Sequence, residues 1–398
     1  MTATAAVPPA QLSRARTAVV VVFIAAGLAF ASVIARTPAL RDSLGLSTAG
    51  LGLLLLCMSG GAVAGLPLSG PIVHRLGPGR AVLAGALSMT LGLALLALGM
   101  STELVPVAAV GLVAAGLGTG VWDVAMNVEG ADVERRLGRS LMPRLHAGFS
   151  LGTVAGAAIG AACAALGIPL QVQLIGIVVL LPAVVVPAVR RFLPVAEPAA
   201  GETTAGSGVL AAWREPRTLV VGLMVLAFAF TEGSANDWIA LAMVDGHGTG
   251  ETLGAVGFGF FVAAMTAGRM VGGAALDRFG RVAVVRATAG IALAGLLLML
   301  LGGSVPVALS GALLWGVGAS LGFPVGMSAA ADDPARAAAR VSVVSSIGYT
   351  AFIAGPPLIG LIGEHAGILR ALFVVLGALL LGLLAAGAAR PLTQPEPR

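Results

Sequence analysis

Lysine is absent from this sequence of 398 residues, and only 10% of its positions carry a charged side chain. Hydrophobic residues make up 58% of the chain. A water-soluble globular domain has about 25% charged residues, so the shortage of charge excludes that class. A helix needs about 20 apolar residues to cross a bilayer, and a chain of this length has room for about twelve. The composition therefore predicts a polytopic membrane protein.

Cysteine and histidine are also scarce. Cys57 and Cys163 lie inside apolar segments, which argues against a disulfide framework or a metal site. The four histidines lack the spacing of metal ligands, and no phosphate-binding loop or nucleophile elbow is present. We therefore expect no cofactor, no metal and no enzymatic activity. The net charge of +5 comes from arginines scattered between apolar runs, which argues against nucleic-acid binding.

Hydropathy predicts twelve spans with short connections. They cover residues 18–35, 48–70, 81–99, 104–126, 145–166, 168–189, 218–241, 252–275, 283–302, 305–329, 342–363 and 368–389. Alternate connections and both termini hold most of the arginines, whereas the opposite side has only Arg36, Arg41 and Arg370. By the positive-inside rule, this asymmetry predicts a multi-pass protein of the cytoplasmic membrane with both termini cytoplasmic.

A polar stretch divides the chain into similar halves. Residues 190–217 mix Pro, Gly, Ser, Thr and Glu, which predicts a cytoplasmic linker between bundles of six helices at residues 1–189 and 218–398. The halves share a register shifted by 203 positions (273 − 70), since Gly70, Arg75 and Gly77 recur as Gly273, Arg278 and Gly280. The same shift carries Phe149, Gly152 and Gly160 onto Phe352, Gly355 and Gly363. Parallel repeats of this kind are typical of transporters.

The turn after the eighth span reads Gly273-Ala-Ala-Leu-Asp277-Arg278-Phe-Gly280-Arg281. Its glycines permit a tight turn, and Asp277 can pair with an arginine or a helix N-terminus and so latch one conformation. The first-half copy has His74 in place of the aspartate and Pro78 in place of the last arginine. It is therefore either a weakened or pH-responsive latch, or simply a basic turn.

This motif resembles the Gly-x-x-x-Asp-Arg-x-Gly-Arg signature of the major facilitator superfamily, and the span count, linker and repeat are similar along the whole chain. The resemblance implies an all-α membrane fold of two six-helix bundles, with alternating access around a cavity lined by spans 1, 4, 7 and 10. It also implies a gating role for a set of residues in and near the two turns. These residues are Gly70, His74, Arg75, Gly77, Arg269, Gly273, Asp277, Arg278, Gly280 and Arg281.

Three short runs resemble one branch of that superfamily, which contains the rhizopine-associated membrane protein and sugar permeases. They are Arg36-Thr-Pro38, Trp122-Asp123-Val-Ala-Met-Asn127 and Glu232-Gly-x-x-x-Asp237-Trp238. Two patterns of drug/proton antiporters are missing, because Leu112 stands where span 4 would carry an arginine and span 5 lacks their Gly-Pro. Span 5 instead has glycines at 152, 156 and 160, a spacing that predicts close helix packing.

Two carboxylates and an amide interrupt the apolar seventh span. An ionisable group at membrane depth costs roughly 2.5 to 3.5 kcal/mol, which makes it a functional candidate. Glu232 and Asn236 are four residues apart and share a helix face, whereas Asp237 points about 100° further round. We predict that Glu232 couples protons, and that Asp237 pairs with Arg36 to close the outer mouth. The alternatives are a structural Glu232 held by hydroxyls of span 1 or span 11, and simple helix-end solvation of Asp237.

Span 4 carries Thr119, Asp123 and Asn127 at four-residue steps, so all three share a face. Such a face can hydrogen-bond a polyol while the indole of Trp122 stacks on its apolar side. The alternative is that Asp123 only pairs with Arg144 or Arg269, the latter serving as a structural or snorkelling side chain. The predicted substrate-binding set is Phe30, Thr119, Trp122, Asn127, Asn236, Trp238 and Trp315, and Asp123 and Asp237 join Glu232 as candidates for proton coupling.

These features predict a secondary active transporter that moves a small polar solute, such as a sugar or cyclitol-like compound, with protons. Its expected partners are that solute, protons and the lipid bilayer, and we expect a monomer. One alternative is a proton antiporter that exports drugs or amphiphilic metabolites, which a cavity lined by aromatic side chains with one acid would favour. Another is a non-transporting membrane sensor or scaffold, which a longer tail or an additional soluble domain would favour.

Overall fold

The computed structural model describes residues 8–138, 141–193, 209–333 and 336–392, and the residues in these ranges form helices and no strands. Twelve of the helical segments that it describes are long and apolar enough to cross a membrane, which confirms the all-α prediction. The first unit holds α1 Pro9–Ile34, α2 Thr37–Ser43, α3 Thr48–Leu76, α4 Pro78–Ser101, α5 Val105–Leu137, α6 Met142–Ala165 and α7 Leu170–Val189, except for the start of α3. The second holds α8 Val209–Ala212, α9 Pro216–Leu241, α10 Glu251–Phe279, α11 Arg281–Leu301, α12 Val305–Ala319, α13 Gly322–Ala330, α14 Ala337–Ala366, α15 Ile368–Ala371 and α16 Phe373–Ala385.

Short irregular segments complete three of the spans. A π-helical turn, Ala242–Gly246, extends α9, and a 3-10 turn, Ala386–Ala389, follows α16. The tenth span consists of α12 and α13, which are separated by Ser320 and Leu321. Residues 194–208 of the predicted linker lie outside the described residues.

The predicted spans coincide with the helices, and the main differences lie at their arginine-rich ends. Helix α1 begins at Pro9 instead of residue 18, and α5 continues to Leu137 instead of residue 126. Hydropathy misses the end of α5 because it is polar, yet Asp132 stabilises it by pairing with Arg135 and Arg136 one turn later. Gly138, with φ of 63°, then ends the helix in the left-handed conformation.

The chain divides into two compact units, Met1–Leu46 with Leu54–Glu197, and Ser47–Leu53 with Pro198–Arg398. The start of α3 groups with the second unit because it packs tightly on α14. A Cβ atom added to Gly52 would lie 2.5 Å from the carbonyl oxygen of Pro356, and the Glu364 carboxylate accepts the Ala49 N–H at 3.1 Å. The predicted domains at 1–189 and 218–398 did not anticipate this short exchange.

Each unit contains the same glycine-mediated helix contacts. In the first, a Cβ on Gly92 of α4 would lie 2.5 Å from the Gly111 oxygen of α5; in the second, one on Gly295 of α11 would lie 2.7 Å from the Gly311 oxygen of α12. The second glycine of each pair continues the repeat with a shift of 200 positions (311 − 111). Such contacts occur where small residues let membrane helices approach closely. The internal repeat is therefore present in the packing as well as in the sequence.

Helix α6 packs on α1 through the glycines of span 5. A Cβ on Gly152 would meet the backbone of Ile24, and one on Gly156 would lie 2.8 Å from the Leu28 carbonyl oxygen. The predicted role of this glycine run in close helix packing is thus confirmed.

Candidate functional site

Glu232 and Arg269 form an ion pair between α9 and α10 of the second unit. The guanidinium Nη2 of Arg269 lies 3.0 Å from each carboxylate oxygen of Glu232, and Nε donates to the Ser320 carbonyl at 3.3 Å. Glu232 has a side chain only 18% exposed, and Arg269 35%. Among the described residues, Glu232 is therefore paired with an arginine, and not hydrogen-bonded to hydroxyls of span 1 or span 11 as in the alternative that we considered.

Asp237 lies on a different face of α9 from Glu232. Phe230, Gly233 and Asp237 form one stripe at i, i+3 and i+7, and its first two members contact α14: a Cβ on Gly233 would lie 3.1 Å from the Phe352 ring, and the Phe230 ring packs at Gly355. Among its described residues, the second unit gives half-buried Asp237 no hydrogen bond or ion pair. The two carboxylates of α9 therefore differ in surroundings, one paired with arginine and the other without such a partner in its unit.

Arg36 lies at the start of α2 in the first unit and is 4% exposed. Its guanidinium donates to the carbonyl of Ile168 at 2.7 Å and to the side-chain oxygen of Gln173 at 3.3 Å. These bonds hold the end of α1 against the start of α7. The pairing of Arg36 with Asp237 remains a prediction.

The polar face of α5 is present in the first unit. Asp123 is exposed and Asn127 half-buried, and the Asn127 amide donates to the backbone and side-chain oxygens of Asp123 at 2.8 and 3.3 Å. Thr119 donates to the Ala115 carbonyl within the same helix. Asp123 forms no ion pair with an arginine in the described ranges, so its carboxylate and the Asn127 amide are the groups this face offers to a ligand.

The three tryptophans of the predicted substrate set are almost fully buried, and their contact with a solute remains a prediction. Trp122, Trp238 and Trp315 are 2%, 0% and 0% exposed, and no acceptor contacts their indole N–H groups. The backbone and Cβ of Trp122 lie against Gly85 of α4, and the backbone of Trp315 lies against Gly295 of α11. The ring of Trp238 lies beside Gly360 of α14. At Trp122 and Trp315 the glycine on the neighbouring helix therefore permits a close approach of the two helix backbones. Phe30 is half-buried, as is Asn236.

The motif between α10 and α11 forms the tight turn that its glycines predict. Gly280 has φ of 77°, and Gly77 in the first half has the same value. Asp277 forms no ion pair within the described residues, and its role as a latch remains a prediction. Arg281 instead pairs with Asp332 at 2.6 Å, and Arg217 reaches the same carboxylate at 2.8 Å. The other predicted members of this group include Arg278, which lies 5.2 Å from the Phe279 ring, and exposed His74 and Arg75.

Three acidic residues outside the predicted site have structural partners at the arginine-rich helix ends. Asp332 joins α9 to α11 through its two arginines, and Glu129, 2% exposed on α5, accepts the Leu193 N–H at 2.9 Å. Glu215, just before α9, accepts hydrogen bonds from Arg340 at 2.6 Å and Arg336 at 3.0 Å. The bond from Arg340 is the main cause that lowers the pKa of Glu215 below its ordinary value. The acidic pair Asp332-Asp333 at the end of span 10 was the available sequence signal.

Comparison with known proteins agrees with this architecture. The chain is 31% identical over 354 residues to "Uncharacterized transporter y4wD" of Sinorhizobium fredii, covering 89% of this chain and 92% of that protein. It is 28% identical over 365 residues to the membrane protein MosC of Rhizobium meliloti, covering 90% and 86%. MosC is a rhizopine-associated membrane protein, which supports the branch indicated by the three short runs.

A solved structure of a D-xylose-proton symporter superposes on this fold with a TM-score of 0.74 at 12% sequence identity, covering 95% of this chain and 97% of the symporter. That likeness shows a shared fold. The profile described as Major Facilitator Superfamily matches residues 19–339 and, in a second match, 238–398. With the repeated six-helix units and their glycine turns, these matches show that the chain belongs to the Major Facilitator Superfamily, whose members are transporters and not enzymes.

Proposed function

We propose that the protein is a proton-coupled secondary active transporter that moves a small polar solute, sugar- or cyclitol-like, across the cytoplasmic membrane by alternating access. The observation that carries the proton coupling is the pair of unlike carboxylates on α9. Glu232 is held by Arg269, and Asp237 has no partner among the described residues of its unit. A carboxylate at membrane depth is costly, and such groups typically serve ion or proton pathways.

The polar character of the solute is supported by the groups that remain accessible. Asp123 and Asn127 on α5 and Asn236 on α9 can donate and accept hydrogen bonds, and none of them is buried. The tryptophans that would suit an amphiphilic drug have almost no exposed surface. The D-xylose-proton symporter of the same fold couples a polar sugar to protons, as its name states, which supports this class of cargo. Export of an amphiphile is therefore the less favoured function.

The proposed orientation follows from the arginines. One set of helix ends is rich in arginine, and the positive-inside rule places this set in the cytoplasm. It includes the ends near the termini, the α10–α11 turn and the ion pairs between the starts of α9 and α14. In this orientation Asp237 lies toward the outer end of α9 and would pair with Arg36 when the outer mouth closes. The turns after α3 and α10 would act as inner gates, and a monomer would be sufficient for transport.

Uptake by proteoliposomes tests this function. Purified protein would be challenged with labelled sugars and cyclitols under an imposed pH gradient, with amphiphilic drugs as the contrasting panel. We expect one polar solute to accumulate, and Glu232→Gln to abolish accumulation while exchange between solute pools continues. The matched control is Asp42→Asn, which alters an exposed carboxylate outside the spans. Gradient-driven accumulation that persists in Glu232→Gln would exclude Glu232 as the coupling group.

A further inference from the structure

In both units, a side-chain donor of the second long helix lies within hydrogen-bonding distance of a backbone carbonyl of the fourth long helix. The two carbonyls occupy equivalent positions in the repeat. In the first unit, the Ser69 hydroxyl of α3 lies 3.2 Å from the Gly120 carbonyl oxygen of α5, and its shorter hydrogen bond goes to the Gly65 carbonyl at 2.7 Å. In the second, Nε of Arg269 on α10 donates to the Ser320 carbonyl at 3.3 Å. Gly120 and Ser320 are equivalent in the repeat, shifted by the same 200 positions as Gly111 and Gly311 (320 − 120). The position is thus shared, but only the second unit uses a charged donor.

The second unit needs this donor because its fourth helix is broken. Helix α5 runs unbroken past Gly120, whereas α12 ends at Ala319 and α13 begins at Gly322. The Ser320 carbonyl would normally accept the N–H of residue 324, but that residue is Pro324, which has none. A carbonyl freed in this way inside a membrane span is costly unless another group donates to it. Arg269 supplies that donor, and Gly268 beside it lets α10 approach the break closely.

The same guanidinium that holds the break also holds Glu232. Its Nη2 contacts both carboxylate oxygens at 3.0 Å, while Nε is used for Ser320. On the other elements that pack against α10, Arg281 of α11 pairs with Asp332, Arg286 lies one turn further along α11, and Asp245 lies on the π-helical turn that extends α9. Helices α12, α13 and α16 have no ionisable side chain, and the charged groups of α14 lie at its ends, with Tyr349 between them packed on Phe352. On the two helices of the pair, Asp237 faces another direction and Asp277 lies two turns further along α10.

We propose that Arg269 is a positioning residue that couples the state of Glu232 to the bend of the tenth span at Ser320 and Leu321. When Glu232 takes up a proton, the guanidinium loses its counter-charge and leaves for another acceptor, and the Ser320 carbonyl loses its donor. The break between α12 and α13 is then free to change its angle. The inference rests on the proposed role of Glu232 in proton coupling, and it adds the route by which the proton acts on a cavity-lining helix.

Hydrogen exchange of the backbone amides around residues 317–328, measured by mass spectrometry on the full-length protein in nanodiscs, tests the coupling without a substrate. Glu232→Gln mimics the protonated acid, and we expect roughly tenfold faster exchange at the break, the factor for loss of one charge-assisted hydrogen bond. Arg269→Gln should have the same effect, and Arg269→Lys a smaller one. The matched control is Asp237→Asn, a carboxylate on the same helix that does not touch Arg269, which should leave exchange unchanged.

Two further variants distinguish this coupling from a general loss of helix packing. The charge swap of Glu232→Arg with Arg269→Glu can restore an ion pair but gives Ser320 no donor from position 269, so exchange should stay fast. Pro324→Ala returns an N–H to the Ser320 carbonyl, so Arg269→Gln in that background should have little effect on the break. Any one of four results would overturn the proposal. The first two are an unchanged exchange rate in Glu232→Gln and an equally large increase of the rate in Asp237→Asn. The others are a return to the wild-type rate in the charge swap and an undiminished effect of Arg269→Gln in the Pro324→Ala background.

The transport assay distinguishes a failure of this inference from a failure of the proposed function. If Glu232→Gln abolishes proton-driven uptake but leaves exchange at the break unchanged, proton coupling stands and the route through Arg269 is wrong. If exchange responds as expected but wild-type uptake ignores the pH gradient, the link from Glu232 to the break stands and proton coupling is wrong.

Discussion

Two glycines on α11 have opposite surroundings and predict opposite effects of the same substitution. Gly290 faces open space, with no atom within 4 Å of an added Cβ, whereas a Cβ on Gly295 would lie 2.4 Å from the Trp315 backbone nitrogen. Alanine gains roughly 0.5–1 kcal/mol over glycine within a helix. At Gly295 this gain is offset by overpacking, which costs about 1–3 kcal/mol because the neighbour is backbone and cannot rotate away. The two variants should therefore differ by about 1–3 kcal/mol, Gly295→Ala being the less stable.

The measurement is the apparent Tm of each purified variant in the same detergent at the same heating rate, since membrane proteins often unfold irreversibly. For a unit of about 200 residues, 1 kcal/mol corresponds to about 2–4 °C, so Gly295→Ala should melt at least about 2 °C below Gly290→Ala. Gly92→Ala should resemble Gly295→Ala, because its Cβ would lie 2.4 Å from the Ala115 nitrogen. Equal melting temperatures for the two α11 variants would refute the close approach of α11 and α12.

Two further predictions concern the ion pairs of the second unit. Glu215 has a lowered pKa in the folded protein, so its contribution to stability is complete above its unfolded pKa of about 4.3 and is lost as the pH falls through its folded pKa. Glu215→Gln should therefore lower Tm at pH 7 and reduce the loss of Tm on acidification. Identical dependence of Tm on pH in the variant and the wild type would contradict this. Arg269→Met leaves the Glu232 carboxylate without its counter-charge, which costs about 1–3 kcal/mol of stability after allowance for partial exposure. Adding Glu232→Gln to this variant should recover part of the lost Tm. Additive decreases of Tm for the two substitutions would show that the ion pair contributes no coupling energy.

The fold was predictable because its signal is local. Runs of about 20 apolar residues mark the helices, and the shared register of Gly70 and Gly273 marks the repeat. Hydropathy failed only where a helix leaves the apolar layer, as at the end of α5, and where a span breaks, as at Ser320. Pro324 was a visible sign of that break, but proline is also tolerated inside membrane helices such as α14, so the residue alone does not decide.

The candidate site was less predictable because its contacts join distant parts of the chain. Helical spacing correctly placed Glu232 and Asp237 on different faces, but it does not show that Arg269, on the next helix, faces the first of them. Helix period did not show that the three tryptophans are buried, because it does not tell a position that faces a cavity from one that packs on a neighbouring helix. The partner of Gly85 or Gly295 becomes known only when the helices are packed.

The most direct test of the central claim is whether solute entry carries protons. Proteoliposomes with a trapped pH-sensitive dye and no imposed gradient would receive the polar solute that the uptake screen identifies. Co-transport predicts that addition of solute outside acidifies the lumen in the wild type, and that Glu232→Gln admits no protons with the solute. Solute entry into wild-type vesicles with an unchanged internal pH would contradict proton coupling.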